Sequence, residues 1–146
     1  MITDAESLIR AEEGVSNPVE LDTLGFPTGG IGHKDSTLVV GTVLSEEQIA
    51  AWFAADFISH SDGIKARWPA FYTLDPVRQA YVVSAAFQLG VGGILGFPHT
   101  LGCLAVGDWQ GAHDGALASK WHQQTPARCE RAAMAFLTGA FQQIPA

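Results

Sequence analysis

Two acids, Glu13 and Asp22, stand nine residues apart in the stretch EEGVSNPVELD. Glu12 and Glu13 close a helical pattern that Gly14 stops, so both acids sit where the helix dipole is negative and bases are preferred. A carboxyl at such an end is favoured in its protonated form, the form a general acid requires. Asp22 follows in a turn-rich, polar stretch, where it would stay ionised and serve as base. The segment between can fold back so that the two acids face each other across a cleft. Two carboxyl groups held in opposite protonation states are the equipment of glycoside hydrolysis. On spacing alone, acids nine apart are more often two solvated surface groups, and that alternative stands beside the catalytic one.

Other chemistries find less support. GFPTGGIGHK contains no GxGxxG, and His33 separates Gly32 from Lys34, so the glycines read as turn residues of a short sheet and not as a phosphate loop. Histidines 33, 60, 99, 113 and 122 form no HExxH pair, and only His33, following GIG, is placed to pair with a nearby acid. No G-x-S-x-G elbow occurs. Cys103 and Cys129 lack zinc or catalytic-thiol spacing and read as partly buried free thiols. No metal or cofactor is expected.

The elements that must position these acids are partly written in local signals. A chain of 146 residues, 47% hydrophobic and 16% charged, can bury a real core as one domain. Thr3-x-x-Glu6 has the form of a capping box, and Ala5, Leu8, Ile9 and Glu12 share one face of the helix it opens. Residues 15–43 are punctuated by glycine and proline, and VEL, FPT and GIGH read as short antiparallel strands. Ser45-x-x-Gln48 opens an amphipathic helix through Ile49, Trp52, Phe53 and Phe57. Asp75-Pro76 opens an apolar helix that reaches Gly90. VGGILGFPHT reads as helix and turn, LGCLAVG as a short helix to Gly107. Asp108 caps another helix, and Thr125-Pro126 opens a last one that closes near Gly139. The class is α+β: a single domain over 1–146, with a small β lobe at about 15–43, a helical lobe at about 45–146 that includes the N-terminal helix, and an active-site cleft between them.

The net charge of −7 is uneven: residues 1–62 carry −9 and the remainder +2. No basic face for nucleic acid is expected from that balance. No apolar run approaches the 18 residues of a membrane span, and the N-terminus lacks the pattern of a secretory signal, so synthesis in the cytoplasm is expected.

With these residues in view, the sequence resembles the phage-type lysozymes, the muramidases of T-even and related phages (glycoside hydrolase family 24). The resemblance rests on E-x8-D-x5-T, here Glu13, Asp22 and Thr28, within EEG…LDTLGFPTGGIGH. It continues through FQLG (87–90), GFPHTL (96–101) and SKWHQQTPAR (119–128), in the family's order, with residues 35–44 shorter than in longer members. It implies a lysozyme-like fold and hydrolysis of the β-1,4 bond between N-acetylmuramic acid and N-acetylglucosamine in peptidoglycan. Glu13 would protonate the leaving oxygen while Asp22 and Thr28 hold a water on the opposite face, inverting the anomeric carbon. Inverting carboxyl pairs stand about 6.5–9.5 Å apart to admit that water.

The same resemblance implies that Arg128 pairs with the catalytic glutamate, that His33 is structural, and that Trp121 lies in the core. Gln88, Phe97 and Gly30 match positions that bind substrate along the cleft. The implied partner is the glycan strand, met by a monomer that reaches the wall through holin-dependent release or on a phage tail. It would act in the periplasm or from the virion. A peptidoglycan-binding or virion structural module with little turnover is the alternative. A lytic transglycosylase needs no base to position water, so Asp22 and Thr28 count against it. The acidic chain departs from the many basic members and should bind an anionic wall more weakly at low salt, unless Lys120, Arg128 and Arg131 form a basic rim. Pro98-His99 and Gly115 also differ from the polar residues expected at some cleft positions.

Overall fold

A computed structural model describes residues 1–145. Among the described residues, eight α-helices and a short 3₁₀ turn (Pro69–Thr73) accompany one small sheet, the α+β class expected. The chain separates into two compact units: residues 13–59, and residues 1–12 together with the chain from His60 onward.

In the unit of residues 13–59, strands β1 (Ser16–Leu21), β2 (Pro27–Gly30) and β3 (His33–Lys34) pair antiparallel in that order. Glu20 lies opposite Thr28, and Thr28 opposite Lys34. GIGH, expected as a strand, is instead the end of β2, a two-residue link and the start of β3. Gly30 and Gly32 take φ values of 61° and 64°, a left-handed conformation that glycine tolerates and that turns the chain where an extended reading would continue it. β1 carries an irregularity between Ser16 and Glu20, and its outer edge is covered by residues 41–44. Val19 N–H donates to Thr42 O (2.9 Å), Gly41 N–H to Val19 O (2.8 Å). The Asn17 amide donates to Leu44 O (3.0 Å) and accepts from Leu44 N–H (2.9 Å). These bonds cover the outer edge of β1 at Val19. Helix α2 (Glu46–Arg67) begins in this unit, with Ser45 Oγ accepting from Gln48 N–H at 3.1 Å.

The larger unit is helical. α1 (Ala5–Glu13) starts one residue later than the sequence pattern suggested. Ser7 N–H donates to Asp4 Oδ1 (2.8 Å), and Ser7 Oγ in return accepts from the Thr3 and Asp4 amides (2.9 and 3.1 Å). The reciprocal box is therefore Asp4 with Ser7, not Thr3 with Glu6, because the short serine hydroxyl reaches the free amides of the first turn.

α3 (Pro76–Leu89) is the core helix, with every residue from Ala80 to Phe87 buried. Asp75 caps it, accepting from Arg78 N–H at 3.1 Å. α4 (Val91–Leu95), α5 (Pro98–Ala105), α6 (Trp109–Leu117), α7 (Lys120–Gln124) and α8 (Pro126–Thr138) follow. Asp108 caps α6 through Gly111 N–H (2.9 Å). α6 packs along α8 through alanines: Ala112 and Ala116 on one helix, Ala132, Ala133 and Ala135 on the other, all buried.

Arg78 is a buried cation whose guanidinium donates to Phe136 O (2.8 Å) and Leu137 O (3.3 Å) in the last turn of α8 and to Asp75 (2.8 Å). It lies 3.7 Å from the centroid of the Trp109 ring. A cation on those carbonyls satisfies groups the helix leaves open and complements its dipole. Cys103 and Cys129 are both buried free thiols, and burial pushes the Cys129 thiol up to about 12.

One ion pair joins the two ends of this unit's sequence. Glu12 accepts from Arg131 Nη2 at 2.7 Å and from Nε at 3.0 Å, with only 3% of the Glu12 side chain exposed. Arg131, expected on a basic rim, is thus committed to α1. Removing one partner of such a pair strands a buried charge, whereas replacing both with apolar groups is often tolerated. Arg131→Met is expected to cost about 3 kcal/mol in urea denaturation, and adding Glu12→Leu should recover most of that loss. Equal stabilities of wild type and Arg131→Met would show that the pair is not holding α1.

Candidate active site

Glu13 is the last residue of α1, and Gly14 leaves the helix at a φ of 64°. Successive helical residues project about 100° apart, so Glu12 and Glu13 serve different surroundings. Glu12 is consumed by Arg131, while Glu13 is half-buried and opens the smaller unit.

Asp22 and Thr28 belong to the same unit and are linked through one residue, Phe26. Asp22 N–H donates to Phe26 O (2.8 Å), and the Thr28 hydroxyl donates to that same carbonyl (3.2 Å). Asp22 Oδ1 in turn accepts from the amides of Leu24 (2.9 Å) and Phe26 (2.8 Å). This side-chain turn follows from D-T-L-G-F: aspartate can accept from amides two and four residues on, with Gly25 at a φ of 85° completing the loop. The second carboxylate oxygen, Oδ2, lies 3.2 Å from Lys34 Nζ. The Phe26 amide, most of all, holds the Asp22 carboxyl below the usual aspartate value; desolvation opposes it, and Lys34 and the Leu24 amide add to the lowering. Thr28 is 7% exposed. Its only hydrogen is given to Phe26 O, which leaves its oxygen lone pairs to accept.

His33 Nδ1 is 2.7 Å from Asp56 Oδ2, and its ring stacks on Trp52 with centroids 4.3 Å apart. Both contacts anchor β3 to α2 within the smaller unit. Gly30 is buried, and a Cβ there would meet Ile49 Cγ2 at 3.4 Å. At Gly29 the space is tighter, with Leu44 Cδ1 at 2.9 Å and Val19 Cγ2 at 3.0 Å from an added Cβ. The backbone around Thr28 is therefore held from both sides by packing.

The remaining expected residues lie in the larger unit. Gln88 is engaged at both ends of its amide: Nε2 donates to Thr125 Oγ1 (2.9 Å), and Oε1 accepts from Trp121 Nε1 (3.0 Å). Trp121 is 2% exposed, a core residue as expected. Phe97 immediately precedes α5 and is half-buried. Arg128 Nη2 lies 3.2 Å from Ser84 Oγ and 3.5 Å from Ser84 O. Gly115 has a packing reason, since a Cβ would meet His99 Cδ2 at 2.8 Å and Thr100 Oγ1 at 2.9 Å; it lets α5 and α6 approach. Among the described residues no group of three or more His, Cys, Asp or Glu is placed to hold a metal ion, and no helix is long and apolar enough to cross a membrane.

Lys34 is the residue the sequence reading missed. Its signal was the hairpin: with Gly30-Ile31-Gly32 turning between Gly29 and His33, Lys34 falls opposite Thr28. Paired residues of antiparallel strands share a face, which sets the lysine beside the Thr28–Asp22 turn.

A profile of the family described as phage lysozyme matches residues 10–132. Among individual proteins, the chain is similar to the pre-baseplate central spike protein Gp5 of Enterobacteria phage T4, 31% identical over 90% of this chain. The chain spans only 27% of that protein's length. It is also similar to probable T4-type lysozyme 1 of Dictyostelium discoideum, 24% identical over 95% of this chain and 96% of the relative.

The bonds at Asp22 make a titration prediction. A carboxyl held below its ordinary value stabilises the fold at higher pH, and that contribution disappears as pH falls through the folded value. Carboxyl ¹³C NMR should show Asp22 titrating below an unstructured aspartate, and unfolding midpoints should fall over the same acid range. A midpoint at or above that of an unstructured aspartate would contradict the hydrogen-bond pattern at Oδ1.

Proposed function

The chain belongs to the phage lysozyme family, and from that premise we propose that it is a muramidase acting by inversion on the glycan strands of bacterial peptidoglycan. The observation that carries this reading is the turn joining Asp22 to Thr28 through Phe26. One short turn carries a carboxylate whose pKa is lowered and a hydroxyl oxygen left to accept, and such a pair suits the holding of a water.

In this reading Glu13 gives its proton to the glycosidic oxygen as the bond to the anomeric carbon of N-acetylmuramic acid breaks. The departing N-acetylglucosamine leaves with a free 4-hydroxyl. A water on the opposite face donates one hydrogen bond to Asp22 Oδ2 and the other to Thr28 Oγ1, so its lone pair faces the anomeric carbon. As the new C–O bond forms, the water's proton passes to Asp22 and a reducing end of inverted configuration results. Solvent then returns Glu13 and Asp22 to their starting states. Two positioned groups acting in one step match the general scheme of inverting hydrolysis.

Arg128, Gln88, Phe97 and Gly30 are assigned supporting and substrate-binding roles on the family pattern, and His33 a structural one. The spike-protein relative supports delivery of such a domain to the wall on a phage tail, with holin-dependent release as the other route and a monomer as the acting form. An adjacent tail gene would favour the first route, an adjacent holin gene the second.

Purified chain incubated with peptidoglycan is expected to release muropeptides with reducing ends and no 1,6-anhydro sugars. Glu13→Gln should lower turnover by about 10²–10⁴-fold while leaving the circular dichroism spectrum unchanged. Predominant anhydro products would replace hydrolysis with transglycosylation. Tight wall binding without chain cleavage would instead support a binding module.

A further inference from the structure

Asp22 is held at both of its oxygens, and the second hold comes from outside its own turn. An ionised carboxylate offers about four acceptor directions. Oδ1 spends two on the Leu24 and Phe26 amides. Oδ2 has two, and Lys34 Nζ takes one at 3.2 Å. We propose that Lys34 is a positioning residue for the hydrolytic reaction: its ammonium closes one side of Asp22 Oδ2, so the attacking water has a single acceptor direction, the one shared with Thr28. This rests on the muramidase reading and assigns within it a residue that touches neither sugar nor water.

The surroundings of Lys34 favour that partner over others. β1, β2 and β3 bring Glu20, Thr28 and Lys34 to one rung of the sheet, and paired residues share a face. Glu20, the competing acid on that rung, accepts instead from Ser16 Oγ at 3.2 Å. Asp35, the next acid along the chain, is turned to its own loop, accepting from the amide and hydroxyl of Thr37 (2.8 and 2.7 Å). His33 pairs with Asp56. Asp22 is left as the acid that Lys34 meets.

The lysine side chain is 48% exposed and that of Asp22 18%. An ion pair this open contributes little to stability, so its effect is on orientation. Without it, the second lone pair of Oδ2 is open to solvent, and a bound water has two positions of which one lies away from Thr28. Misplaced nucleophiles lose rate steeply.

The test compares Lys34→Met and Lys34→Arg with wild type on purified glycan strands, with carboxyl ¹³C titration of Asp22 in all three. Lys34→Met is expected to lower kcat about tenfold with KM within about twofold, at an unchanged melting temperature. The Asp22 midpoint should move up towards the free-aspartate value. Lys34→Arg should restore both kcat and the midpoint. Unchanged kcat in Lys34→Met, or an unmoved Asp22 midpoint, overturns the assignment. So does a rate loss that appears only with a matching loss of melting temperature. A wild-type chain that releases no reducing ends overturns the muramidase reading and this role with it, whereas an active wild type with unaltered Lys34→Met overturns this role alone.

Discussion

The grip of Arg131 on Glu12 sets the last turn of α1, and the assignment of Glu13 depends on that setting. Two guanidinium nitrogens on two carboxylate oxygens fix rotation as well as distance. With one acid of the pair Glu12-Glu13 committed to α8, the next is directed elsewhere by helical geometry alone, and Gly14 ends the helix there. Two adjacent acids at the unfavourable end of a helix thus have separate physical reasons. The first is buried and neutralised by Arg131; the second is the residue to which proton donation is assigned.

A second constraint acts on a smaller scale, within seven residues. The Phe26 peptide accepts from Asp22 and Thr28 with its oxygen and donates to Asp22 with its nitrogen. Asp22 and Thr28 are therefore tied to one peptide. Glycine at position 29 removes the Cβ that would push β2 off Val19 and Leu44. Hydrogen bonds fix the turn from inside, and close packing fixes the strand that follows it.

What the sequence made legible divides along the range of the interactions. Asp75-Pro76, Asp108 and Gly139 announce helix ends through bonds within a few residues and could be read directly, whereas α7 has no side-chain cap and was not expected. The α+β class followed from the segregation of short strands near the N-terminus. The Thr3 box failed by one residue because two overlapping caps share the same local signature, and only the geometry of the first turn selects Asp4 with Ser7. GIGH failed because alternation says nothing about the sign of φ. Arg131 was placed on a rim because its partner lies 119 residues away. Lys34 was passed over because its relation to Asp22 passes through strand register. The resemblance named Glu13, Asp22 and Thr28; the bonds that tie Asp22 to Thr28 became visible only with the Phe26 peptide.

The two thiols give the molecule an asymmetric set of internal reporters. Cys103 and Cys129 lie on α5 and α8 of the larger unit, both buried, and the smaller unit that carries Asp22 and Thr28 has none. Burial holds both as unreactive thiols and not thiolates. Alkylation therefore waits on opening of the helical unit and is blind to fraying of the sheet. Pulse labelling of these cysteines, set beside amide exchange at Phe26 and Thr28, separates the breathing of the scaffold from the breathing of the loop to which the chemistry is assigned.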